Sequence, residues 1–112
     1  LNNEDFIFPA VGEQFGVGFI LAETGITPNI RFRSDEDYAS VAMVELGLGI
    51  SILPMLILEG VTANVALRPL ADPFYRSLGI AIHSFQHTTP LTKTFLDLVI
   101  EWVNMRYHSG TI

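Results

Sequence analysis

From Leu46 to Leu58 the chain reads LGLGISILPMLIL, its longest apolar stretch, and the glycines and proline inside it dictate what it can become. At 13 residues, with Ser51 inside and Pro54 breaking it, the stretch is too short for a bilayer span. Such a span takes roughly 18–20 apolar residues without interruption. Gly47 and Gly49 instead mark the end of one element and the start of the next. The pattern predicts a helix stopping at Gly47, a buried strand over Gly49–Leu53, and a short helix over Pro54–Glu59.

The same punctuation recurs along the 112 residues, a length suited to one domain. Phe6-Ile7-Phe8, closed by Pro9, reads as a buried strand. Gly12 to Thr24 reads as a helix, with Phe15, Phe19 and Ala22 on one face and Gly25 as its cap. Asn29 to Arg33 alternates Ile30 and Phe32 with two arginines, a strand with one wetter face. Ser34 and Asp37 form a capping-box pattern that opens a helix bearing Tyr38, Val41, Ala42 and Leu46. Val65–Leu70 and Ser77–His83 read as further strands around the turn-forming Ala71-Asp72-Pro73. Thr89-Pro90 supplies an N-cap and a first-turn proline for the last helix. Its apolar stripe is Leu91, Phe95, Leu98, Trp102 and Met105. Strands alternating with helices imply an α/β layer fold with a largely parallel sheet.

Charge and composition narrow the function. Twelve acidic residues against six basic ones leave a net charge of −6, unsuited to gripping a phosphate backbone. Hydrophobic residues make up 49% and charged ones 16%, which excludes intrinsic disorder and leaves apolar surface for a partner. Leu1 in place of Met leads us to expect a fragment of a longer protein. The acidic start, LNNEDFIF, does not read as a secretory leader, and there is no cysteine for a disulfide or thiolate site. A cytoplasmic setting is expected.

The run Val41 to Pro54, VAMVELGLGISILP, resembles LysR-type transcriptional regulators, in which a helix ends in G-x-G before an apolar strand that stops at Leu-Pro. The resemblance extends to FIF and GITP upstream and to LGIAIHS and TPLTKTFLDLVIEWV downstream, covering about Asp5 to Val103. It implies a Rossmann-like lobe of a type 2 periplasmic-binding-protein-like fold, with a mostly parallel five-stranded sheet flanked by helices. On this reading residues 1–88 are the second lobe of an effector-binding domain. Residues 89–112 form the C-terminal helix that returns to the first lobe. The winged helix-turn-helix, the linker helix and most of the first lobe would lie outside the chain. DNA would be contacted by that N-terminal domain and not by this acidic segment.

Other constellations have plainer explanations. Gly47-Leu48-Gly49 closes a helix and opens a strand, the reverse of a dinucleotide fingerprint. The Gly12, Gly16 and Gly18 spacing matches no phosphate loop. Ser51 lies within a strand and lacks the second glycine of a nucleophile elbow, so a satisfied core hydroxyl is expected. His83 and His87 fall at a strand end and in a loop, which suits solvated residues better than a zinc site. No catalytic or metal site is expected, and no cofactor.

Ligands of open α/β sheets collect at the carboxyl ends of strands, where helix N-termini also point. Pro9-Ala10-Val11 follows the first strand and Ser34-Asp35 the second. The resemblance adds Gly49-Ile50 and has these turns facing the cleft between lobes. Plain capping accounts for Ser34 equally well, and one residue can do both. Asp35, Glu36 and Asp37 would repel a carboxylate, which counts against an anionic effector and leaves open a neutral, cationic or zwitterionic one. An acidic triplet at a helix start is also commonly just a stabilised, solvated N-terminus. The expected function is small-molecule sensing in a regulator that forms a homo-oligomer. Half of a periplasmic solute-binding protein is the alternative, and a small α/β enzyme fragment a weaker third.

Overall fold

The computed structural model describes residues 1–10 and 16–107, within two compact units, Leu1–Tyr75 and a second beginning at Arg76. In the first unit, β1 (Asp5–Pro9) and β2 (Asn29–Ser34) pair in parallel, with α1 (Val17–Thr24) as the crossover between them. The register runs from Asp5 opposite Asn29 to Pro9 opposite Ser34. It slips once, so that Phe6 faces Ile30 and Ile7 faces Phe32, with Arg31 as the extra residue on β2. A bulge of this kind bends its strand locally. Next come α2 (Asp37–Glu45), which packs on β1, and a single helical turn, α3 (Met55–Leu58).

β1 is the centre of this unit because it is apolar on both faces. Phe6, Ile7 and Phe8 are all buried. Phe6 and Phe8 share one face and pack with Val17, and Leu21, Ile50 and Ile52 close around them. Ile7 projects to the opposite face, the side available to Ser40 and Val41, the buried residues of α2. Burying one such side chain stabilises by about 1.5–3 kcal/mol. The run FIF therefore supplies three of the five buried hydrophobic side chains among the described residues.

The five-stranded sheet expected from the sequence is not what forms: among the described residues the sheet has two strands. Gly49–Leu53 contributes one parallel bridge, Ile50 to Phe6. Its backbone bonds are Ile50 N–H to Asp5 O and Ile7 N–H to Ile50 O, both 2.9 Å. Where the next rung would attach, the Ser51 hydroxyl donates to Ile7 O at 2.9 Å. Val65–Leu70 and Ser77–His83, expected as strands, form no ladder. Alternation in a sequence reports which side chains favour burial; a ladder needs a neighbouring row of N–H and C=O groups. Neither segment pairs with another strand among the described residues, and nearly all of Ser77–His83 is exposed.

The helix stops fall where the glycines predict. Gly25, at φ 67°, caps α1. Gly47, at φ 75°, ends α2 with its N–H on Val44 O while the Leu48 N–H reaches Met43 O. Gly49 has a steric reason of its own: a Cβ there would sit 2.5 Å from Asp5 O. The expected start of α1 at Gly12 falls on residues 11–15, outside the described residues.

The second unit is dominated by α4 (Pro90–Tyr107). The Thr89 hydroxyl accepts the Thr92 N–H at 3.2 Å, the N-cap read from the sequence. No residue of α4 is buried; Leu91, Phe95, Leu98, Trp102 and Met105 are all exposed. No helix among the described residues is long and apolar enough to cross a membrane.

Candidate functional site

Parallel pairing places the carboxyl ends of β1 and β2 at one edge, and the last rung of the ladder shows how tightly. Pro9 lies opposite Ser34, and the Ala10 N–H donates to Ser34 O at 2.7 Å. Pro9, Ala10, Ser34 and Asp35 therefore come together at the place where an open α/β sheet receives a ligand. Val11, the third residue expected in the first turn, lies outside the described residues.

The Ser34 hydroxyl is used differently from the expected N-cap. It accepts the Glu36 N–H at 3.2 Å and donates to Glu36 O at 3.0 Å, closing a small turn. The cap position of α2 falls two residues later, on Glu36, which makes no side-chain capping bond. Short hydroxyl side chains readily bond their own turn in this way, and here that option outcompetes the cap. The consequence is that the Ser34-Asp35 turn is fixed by its own hydrogen bonds before any ligand arrives.

Gly49 and Ile50 sit elsewhere. They lie beside Asp5 and Phe6, at the amino end of β1. Pro9 lies three residue steps beyond Phe6, about 10 Å along a strand. Their observed work is to bring a third backbone segment close against β1.

One further residue stands at this edge. Arg33 pairs with Phe8, one rung behind the edge, and its guanidinium lies 4.7 Å from the Phe8 ring centre. A cation ending a strand just before an acidic turn was the available signal. The edge thus has Arg33 and Asp35 on either side of Ser34, opposite charges within three residues. At the other end of the ladder, Asp5 accepts from Asn29 Nδ2 at 2.8 Å and pairs with Arg31 at 3.1 Å. Those bonds, Asn29 first and Arg31 second, hold the Asp5 carboxyl below its usual 3.8.

The remaining chemistry-bearing residues stay apart from this edge. Ser51 is part-buried with its hydroxyl bonded to Ile7 O, as expected of a core hydroxyl. His83 and His87 are both exposed, and His87 Nδ1 lies 3.2 Å from the Ser84 hydroxyl. Among the described residues no group of three His, Cys, Asp or Glu side chains is arranged to hold a metal.

A family model described as the LysR substrate binding domain matches residues 1–104. No curated protein and no solved structure matches the chain. The family's α/β periplasmic-binding-protein-like fold accommodates the parallel β1–α1–β2 unit, and its members are regulators, not enzymes. The chain belongs to the LysR substrate-binding domain family, the effector-sensing domain of LysR-type regulators.

Proposed function

We propose that this chain senses a small effector at the carboxyl edge of β1 and β2 for a LysR-type regulator of transcription. The observation that carries the reading is the Ala10–Ser34 rung, which joins both turns at one edge within the matched family region. Pro9, Ala10, Ser34 and Asp35 are the contacting residues on this reading, with Val11 included from the sequence alone. Gly49 and Ile50 take part by setting the position of β1 more than by touching the effector. The effector is net-neutral, zwitterionic or cationic, because Asp35, Glu36 and Asp37 oppose a simple carboxylate and Arg33 stands behind them.

The effector acts by its different affinity for two arrangements of the lobes that form the cleft, since only a difference in affinity shifts such an equilibrium. Residues 1–88 would form the second lobe and 89–112 the helix returning to the first. DNA would be held by a separate basic domain of a cytoplasmic homo-oligomer, in keeping with the −6 charge here. The family match favours this regulator over the solute-binding protein considered as the alternative.

A thermal-shift panel of amino acids, amines and monocarboxylates tests the proposal. Raised melting temperatures confined to the first two classes, and abolished by Ser34→Val with Asp35→Ala, are expected. Stabilisation by monocarboxylates alone, or hits that survive both substitutions, would sink it.

A further inference from the structure

Four residues of α2, Tyr38, Val41, Ala42 and Glu45, recur at spacings of three and four and so form one stripe along the helix. The segment Gly60–Ala63 lies opposite this stripe and leaves a surface cavity of about 210 Å³ between them. Val41, only 5% exposed, gives the groove an apolar floor. Tyr38 lies towards one end with its side chain 62% exposed, although it shares a stripe with a buried neighbour. Glu45 lies towards the other end, seven residues on, or about 10 Å along the helix axis. Its Oε1 accepts the Asn64 N–H at 3.1 Å, which ties the loop that follows the opposite wall to α2. Gly60, on that wall, has open space where a side chain would begin.

A carboxylate near one end, an exposed phenol ring near the other and an apolar floor between them form an amphipathic slot. We propose that this groove is a small-molecule site selective for an organic ammonium with a short aromatic tail. The ammonium would pair with Glu45, while the tail covers Val41 and Ala42 and meets the Tyr38 ring edge to face. Anionic analogues are disfavoured by Glu45 and by the −6 charge of the chain. The volume falls below the ~300–1,000 Å³ of pockets for drug-sized ligands, so the occupant is fragment-sized and its affinity millimolar. None of these residues belongs to the strand edge proposed for the effector, so either proposal can fail without the other.

The test is amide NMR of the full chain titrated with phenethylammonium, with 2-phenylethanol and 3-phenylpropionate as neutral and anionic analogues. Saturable shifts at Tyr38, Ala42, Glu45 and Gly60–Ala63 are expected with the ammonium. Glu45→Gln keeps an acceptor for Asn64 and removes the charge. It should weaken binding roughly two- to fivefold, the range of an exposed ion pair. Tyr38→Ala should weaken binding roughly two- to tenfold, the range of an aromatic pair. Absence of saturable shifts at these residues, or equal responses to the ammonium and the alcohol, would overturn the proposal. If Glu45→Gln loses spectral dispersion, Tyr38→Ala and the three-ligand comparison decide the matter alone.

Discussion

Asp5 ties β1 both to β2 and to the segment at Ile50. Its carboxylate holds Asn29 and Arg31 of β2, and its carbonyl accepts the Ile50 N–H. The carboxyl is held below its usual value in the fold, so its contribution to stability is complete above about pH 3.8 and is lost as the pH falls through the lowered value. Asp5→Asn should therefore lower the denaturation midpoint at neutral pH, with the gap to the parent closing below pH 3.8. A gap that stays constant across that window would refute the assignment. Gly49 faces the same carbonyl with no room for a methyl group, and it sits at φ 156°. Gly49→Ala should cost about 1–3 kcal/mol in urea unfolding, the range for a strained backbone position. At this scale the sequence was informative. Gly47 and Gly49 were legible as a stop and a close approach because sterics act between near neighbours. Arg33 was not, because its position depends on the ring of Phe8, 25 residues earlier in the chain.

Elements divide according to where their instructions lie. α4 opens on Thr89 and Pro90, and its cap bond joins residues only three apart. Thr89→Ala should reduce helicity with a loss of about 0.5–2 kcal/mol, read as a lower far-UV CD signal and an earlier thermal transition. An unchanged spectrum and transition would mean that the cap contributes nothing. α2 shows a local rule being outcompeted. Ser34 and Asp37 have capping-box spacing, yet the Ser34 hydroxyl closes its own turn on Glu36 and the helix begins at Asp37. The two patterns share a donor-rich turn, and three residues of sequence do not decide between them. Strands fared worst. FIF is legible in the sequence because a strand buried on both faces is apolar throughout. Val65–Leu70 and Ser77–His83 carry the composition of strands but pair with no strand among the described residues.

For the whole molecule, the exposed stripe of α4 makes a prediction about association. Leu91 is 80% exposed and Phe95 64%, and a continuous apolar face favours a partner in water. Sedimentation velocity should show an average mass that rises with concentration, and Phe95→Asp with Leu98→Asp should suppress the rise. A strict monomer across the range would remove α4 from the interface and weaken the proposal of a homo-oligomer. The sequence by itself determined the acidic, cysteine-free character of the chain, its helix stops, the buried strand FIF and the family. All of these rest on residue identity or on spacings of a few residues. Only the tertiary structure decided how many strands pair, that Pro9, Ala10, Ser34 and Asp35 share an edge, and that Gly49 and Ile50 lie at the opposite end of β1. The reason is physical: a ladder bond such as Ala10 N–H to Ser34 O joins groups 24 residues apart, and neither segment carries the position of the other.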